Sequence, residues 1–331
     1  MTWFLFFLVA SIIVVAGSKL SVYADILATK LKLSRSAIGV LLVSIVTTLP
    51  ELTTTLSAIC KVDAPNMALG NNFGSILFNL SIIGICDIVF RQGGILRHIH
   101  DYELRPAICA LILIVIAAVG LVFTLPVHFG IFNFGLGSLA VILLYIAFFK
   151  WIHSKGAPEE ILEETEQVQE TGTLAASIGF IVCSVAIVAS GISLAVLGSR
   201  LADSAGLSRS FVGTLFLAVA TSLPELTVGI SSARRGAFDL MLGNVMGANM
   251  LNVLVIALAD VFYLRAALNV PLNLGWSQIF AAFCAVVSTG VAITGILRVS
   301  SQRESRFIDW RSASIMLVHV ICLVIIFNEW V

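Results

Sequence analysis

LSRSAIGVLLVSIVTTLPEL, residues 33–52, returns as LSRSFVGTLFLAVATSLPEL at residues 207–226. Aligned without a gap at an offset of 174, the copies agree at Leu33, Ser34, Arg35, Ser36, Gly39, Leu41, Thr47, Leu49, Pro50, Glu51 and Leu52, which is 11 positions of 20. Composition alone does not produce that agreement. Each copy is an apolar run of helix length broken by Thr-Thr-Leu-Pro-Glu or Thr-Ser-Leu-Pro-Glu, so a helix breaker and a carboxylate stand together inside it. The likeness continues downstream: residues 67–87 (MALGNNFGSILFNLSIIGICD) match residues 240–260 (LMLGNVMGANMLNVLVIALAD) at an offset of 173. Shared there are Leu69/Leu242, Gly70/Gly243, Asn71/Asn244, Gly74/Gly247, Asn79/Asn252, Ile83/Ile256 and Asp87/Asp260. One paired-helix unit is therefore present twice.

Around these units the chain is apolar. Charged residues make up 11% and apolar residues 59%, against about a quarter charged in soluble domains. Ten runs of membrane-spanning length follow, near residues 3–28, 37–60, 66–90, 106–125, 130–152, 173–199, 210–233, 239–263, 274–297 and 312–329. Backbone in lipid satisfies its own hydrogen bonds, so the runs are read as helices. No basic residue precedes the first run, and its Gly17-Ser18-Lys19-Leu20 recurs as Gly198-Ser199-Arg200-Leu201, so it reads as structure rather than a leader. The six cysteines lie singly and read as packing residues, the five histidines form no ligand pair, and a net charge of zero gives no case for nucleic acid.

Ten runs in two matching halves give five per half, an odd number, so the halves enter the membrane from opposite sides. The expected fold is an all-α integral membrane protein of ten transmembrane helices arranged as two inverted-topology five-helix repeats. Its parts are residues 1–153 with the first repeat unit at about 33–90, an acidic linker at 154–172, and residues 173–331 with the second unit at about 207–263. Lys30, Lys32, Arg35, Arg91, Arg97, Arg105, Lys150, Lys155, Arg234, Arg235, Arg298, Arg303, Arg306 and Arg311 fall in loops on one side, and Lys61, Arg200, Arg209 and Arg265 on the other. The positive-inside rule makes the first side cytoplasmic, puts both termini outside in a plasma or bacterial inner membrane, and leaves the linker in the cytoplasm. The linker's run of glutamates is either a solvated acidic connector or a cation sensor.

The chemistry is expected at the breaks. Pro50 removes the hydrogen bond to the carbonyl of Val46 and perturbs that of Thr47; Pro224 does the same at Ala220 and Thr221. Hydroxyls of Thr47, Thr48, Thr221 and Ser222 stand beside these carbonyls, and the carboxylates of Glu51 and Glu225 follow. A carboxylate at mid-membrane costs about 2.5–3.5 kcal/mol, and no basic residue shares its helix at that depth, so an external cation is called for. With the amide oxygens of Asn79 and Asn252 the ligands are all hard oxygens, which suit Ca²⁺. Two negative charges match one divalent ion or, with neutral oxygens added, several Na⁺ ions. The alternatives are a neutral, protonated pair for the glutamates and an interhelical hydrogen bond for the asparagines. Gly70, Gly74, Gly243 and Gly247 are read as close-packing positions. Asp87 and Asp260 near the helix ends are read as interfacial carboxylates outside the site.

At these residues the chain resembles the sodium/calcium exchanger family of the cation/Ca²⁺ antiporter superfamily, of the prokaryotic type without a large regulatory loop. The resemblance rests on Thr47-Thr48-Leu49-Pro50-Glu51 with Gly70-Asn71 through Asn79, and on Thr221-Ser222-Leu223-Pro224-Glu225 with Gly243-Asn244 through Asn252. It implies that Glu51 and Glu225 hold Ca²⁺ with carbonyls near Thr47 and Thr221, while Thr48, Ser75, Asn79, Ser222 and Asn252 serve Na⁺ positions. Val46 stands where the family commonly has Gly, Thr48 where Ser is usual, and Ala248 opposite Ser75. Asn252 replaces the Asp of some potassium-dependent relatives, and TTLPE and TSLPE favour Na⁺ over H⁺.

The resulting expectation is a transporter and not an enzyme: a Na⁺/Ca²⁺ antiporter, electrogenic or nearly so, working by alternating access. Ca²⁺ and Na⁺ are its substrates and the lipid bilayer its surroundings, with no cofactor and no obligate protein partner. Spans one and six, free of site residues, are the expected moving parts. The alternatives are an H⁺-coupled exchanger of Ca²⁺ or another divalent cation, a cation channel, and an intramembrane enzyme with paired carboxylates, which lacks a histidine or aspartate dyad in either motif.

Overall fold

The computed structural model describes residues 1–30, 44–90, 94–99, 103–123, 126–129, 132–154, 172–234, 236–263, 276–297 and 309–328. The first LSRS tetrapeptide, the start of the second expected span and nearly all of the acidic linker lie outside them. The helices in chain order are α1 (Thr2–Lys30), α2 (Ser44–Thr47), α3 (Leu49–Cys60), α4 (Pro65–Phe90), α5 (Leu104–Val122), α6 (Leu136–Ser154) and α7 (Thr173–Ala205). They continue with α8 (Arg209–Thr221), α9 (Leu223–Arg234), α10 (Phe238–Phe262), α11 (Trp276–Leu297) and α12 (Trp310–Asn328).

Among the described residues seven helices are long and apolar enough to cross a membrane, eight if the bent pair α8 and α9 is one span. The apolar part of α6 and the α2–α3 pair occupy the places of the two other expected spans. One correction concerns the fifth span. Residues Pro126–Phe129 and Phe132–Gly135 form a two-stranded antiparallel hairpin, β1 and β2, so helix begins at Leu136 and not near residue 130. The apolar run Phe-Asn-Phe-Gly alternates with period two, which a count of apolar residues does not register.

Local chemistry sets the helix ends around the second break. Gly206, at φ 65°, closes α7 in the left-handed conformation that glycine adopts without penalty. Ser208 of the second LSRS then accepts a 3.0 Å hydrogen bond from the Phe211 amide and caps α8. Within α8 residues Val212–Leu217 form a π-helical stretch, a local widening that recurs at functional sites. It presses on α4: a Cβ on Gly70 would lie 2.8 Å from the Ser210 carbonyl oxygen, and one on Gly74 would overlap that of Thr214. The glycine spacing of the repeat thus seats α4 against the broken helix.

α4 and α10 are the most deeply buried spans. One large apolar core joins them to α5, α6, α11 and α12. α1 runs along α7 and joins the remainder through smaller clusters that draw on α3, α8 and the beginning of α4. Gly17 of α1 meets the ring of Pro224, where a Cβ would come within 2.6 Å, and Gly191 of α7 meets Thr53. α1 therefore leans on the second proline break and α7 on the helix that follows the first.

Asp87 and Asp260, near the ends of α4 and α10, are 1% and 0% exposed. Asp87 accepts from the amides of Ile95 and Asp309, both at 2.8 Å. Asp260 accepts from the Gly135 amide at 2.7 Å and the Ser138 hydroxyl at 2.5 Å. Asp309 immediately precedes α12 and Gly135 immediately precedes α6. Each aspartate therefore satisfies an otherwise orphaned amide at the start of the last helix of the opposite half.

Candidate ion-binding site

The two breaks adopt matching backbone. Thr48 has φ −81°, ψ −1° and Ser222 has φ −90°, ψ 8°, near the bridge region in which many active-site residues sit. Pro50 and Pro224 stand at the second position of the helices that follow, where a missing N–H costs little. Glu51 and Glu225 consequently fall in the first turns of α3 and α9, at the positive ends of those dipoles. In the second half the two pieces are bent by 47°.

The two halves then cross. The Ser222 hydroxyl donates to Glu51 Oε1 at 2.8 Å, joining the break of one half to the carboxylate of the other. Glu225 lies close enough to Glu51 for their charges to oppose each other, and Thr47 and Thr48 are its hydroxyl neighbours. Thr48 aligns with Ser222 and Glu51 with Glu225 in sequence, so aligned residues meet across the breaks, but the hydrogen bond is made at Ser222 and Glu51 and not at Thr48 and Glu225.

All nine residues singled out from the sequence are buried: Thr48 is 3% exposed, and Thr47, Glu51, Ser75, Asn79, Thr221, Ser222, Glu225 and Asn252 are 0%. Glu51 Oε2, both Glu225 oxygens, Thr48 Oγ1, Ser75 Oγ, Asn79 Oδ1 and Asn252 Oδ1 have no hydrogen-bond partner. A buried polar atom without a partner costs about 1–3 kcal/mol, more when charged. Such a concentration of hard oxygen donors fits a cation substrate. Thr47 and Thr221 instead turn their hydroxyls to carbonyls one turn back, Thr47 to Ser44 at 3.3 Å and Thr221 to Leu217 at 3.0 Å. Among the described residues no cluster of three or more His, Cys, Asp or Glu could hold a metal, so the two glutamates carry the charge with neutral oxygens around them.

Other polar residues complete the surroundings. Asn71 donates to Thr55 at 3.1 Å and faces the Thr221 hydroxyl at 3.4 Å. Asn244, its counterpart, has neither amide atom paired. Both were visible as shared positions of the repeat. Asn249 was not: its place in the first half is Ile76, so the alignment conceals it. Its Oδ1 accepts from Asn79 Nδ2 at 3.2 Å, leaving Asn79 Oδ1 unpaired. The interhelical hydrogen bond foreseen as an alternative for Asn79 is thus present, and it occupies the nitrogen only.

Comparison with known proteins adds the following. A family model described as sodium/calcium exchanger protein matches residues 1–152 and 175–328. The sodium/calcium exchanger MaX1 of Methanosarcina acetivorans is 32% identical over 127 residues, 38% of this chain and 33% of that protein. Among solved structures, the H⁺/Ca²⁺ exchanger CAX aligns with a TM-score of 0.74 at 16% identity, covering 99% of this chain and 86% of the other. The sodium-calcium exchanger NCX_Mj aligns with a TM-score of 0.63 at 22% identity, covering 98% and 99%. At those identities the structural likeness speaks to the fold.

Proposed function

This chain belongs to the sodium/calcium exchanger protein family, and on that premise we propose that it exchanges Na⁺ for Ca²⁺ across the plasma membrane by alternating access. One observation carries the proposal: three of the four carboxylate oxygens of Glu51 and Glu225 are buried without a partner. At membrane depth that arrangement calls for a counter-charge from outside the protein. Glu51 and Glu225 bind one Ca²⁺ or the Na⁺ ions that replace it. Thr47, Thr48, Ser75, Asn79, Thr221, Ser222 and Asn252 supply neutral oxygens. Ca²⁺ takes about 6–8 such ligands.

The architecture we assign is ten spans in two inverted halves, residues 1–153 and 173–331, joined by a cytoplasmic linker at 154–172, with both termini outside. Support comes from the crossed Ser222–Glu51 contact and the crossed aspartate caps. The α1–α7 pair is the moving part in this reading, because it carries none of the nine site residues and Gly17 meets the proline ring at the second break. Linking α1 covalently to α3 should therefore stop transport, and unimpeded transport after linking would exclude this motion.

A second reading, proton coupling, has the fold likeness to an H⁺/Ca²⁺ exchanger in its favour. Uptake of ⁴⁵Ca²⁺ into proteoliposomes loaded with Na⁺, K⁺ or a proton gradient separates the two. Uptake driven only by outward Na⁺, and lost in Glu51→Gln, is expected. Equal uptake under a pH gradient without Na⁺ would replace sodium by protons, and no Ca²⁺ flux under any gradient would overturn the substrate.

A further inference from the structure

Away from the central carboxylates, Glu103 is 6% exposed and its Oε2 has no hydrogen-bond partner. It stands immediately before α5 with its carboxyl flat against α10, where a Cβ on Gly243 would lie 3.3 Å from Oε2 and 3.4 Å from Oε1. A Cβ there would press on the carboxyl. Asp239, half-buried in the first turn of α10 and one turn before Gly243, adds its charge to the same spot. Burial and Asp239 together push the Glu103 carboxyl up to about 8.

The other half supplies the contrast. Asp239 aligns with Asn66 at the repeat offset of 173. Gln278, in the first turn of α11, reaches the carbonyl of Asn66 at 2.9 Å. An acidic pair at one end of the two-fold thus corresponds to an amide pair at the other. Had either pair served packing alone, the amide version would suffice without the cost of burying one carboxyl beside another. By the lysine and arginine count, the acidic end is the cytoplasmic one. From Asp239 to Asn252 α10 rises about 20 Å, and Asn244, Asn249 and Asn252 carry unpaired buried amide atoms along the way.

We infer that Glu103 and Asp239, seated on Gly243, form a second divalent-cation site at the cytoplasmic mouth, which gathers Ca²⁺ ahead of the central carboxylates. Its purpose rests on the exchanger reading; its existence does not. Two carboxylates with water completing the shell make a rapidly exchanging site, in which the cation takes the place of the proton on Glu103 and is readily passed on along α10.

Mn²⁺ binding by electron paramagnetic resonance, competed with Ca²⁺, tests this in purified full-length Glu51→Gln/Glu225→Gln chain, where the central site is disabled. One Ca²⁺-displaceable Mn²⁺ is expected to remain, and adding Glu103→Gln or Asp239→Asn should weaken it by about tenfold or more. In the native chain, Glu103→Gln should reduce the number of bound Mn²⁺ by one, a readout that serves if the multiple variant does not fold. Absence of binding in the disabled background, or binding indifferent to both substitutions, overturns the site. Failure of native Ca²⁺ flux sinks the exchanger reading instead and leaves this measurement intact.

Discussion

Ser222 and Thr48 hold equivalent places, and each stands beside the glutamate of the other half. Removing the Ser222 hydroxyl takes a hydrogen bond from a buried carboxylate, a loss of about 1.5–3 kcal/mol. Ser222→Ala should therefore raise the half-saturating Ca²⁺ concentration by about tenfold or more in proteoliposome uptake. Glu103 gives a prediction in pH. Its folded carboxyl titrates at about 8 against an ordinary 4.5, so between those values the folded chain holds a proton that the unfolded chain has lost. Stability should fall as pH rises through that window and level off above it. Unfolding temperature measured from pH 5 to 9 should decline for the native chain and stay flatter for Glu103→Gln. The repeat made Glu51, Glu225 and their hydroxyls legible, because duplication marks residues that composition cannot. It concealed Asn249, whose aligned residue is Ile76, and did not reach Glu103, which lies outside the aligned stretches; both betray themselves only through neighbours brought by folding.

At the scale of helices, apolar length told where the long spans run, since a run of about 20 residues in lipid has few alternatives to helix. The π-helical stretch of α8 was not legible, because it answers to α4, far away in the chain, and the hairpin before α6 was hidden because its two strands pair with each other inside what counts as one apolar run. Nor were the aspartate caps, whose acceptors reach elements 125 and 222 residues distant. Asp260→Ala strands the Gly135 amide and the Ser138 hydroxyl, and Asp87→Ala strands the amides of Ile95 and Asp309. Each should cost about 2 kcal/mol or more, read as a lower unfolding temperature in detergent, and the two losses should add because the caps share no partner. Gly17 bears on mechanics as well as on packing. A valine there drives into Pro224, so Gly17→Val should slow turnover while leaving the Ca²⁺ dependence of uptake in place.

Across the whole molecule, the aligned stretches agree at the proline breaks and diverge at helix starts, with Glu103 and Asp239 at the starts of α5 and α10 and Asn66 and Gln278 at those of α4 and α11. Orientation gives that difference its meaning and can be checked directly: in intact cells, added protease should cut a site placed before Met1 and spare one placed in the linker. The crossed caps bear on how the chain is made. When α6 leaves the ribosome, the carboxylate its first turn needs lies 125 residues further on, and the helix must wait in the bilayer with its amide unsatisfied. The early half is thus a tenant without a lease until the late half arrives. Co-expressed as separate polypeptides, the two should find each other; expressed singly, each should be degraded.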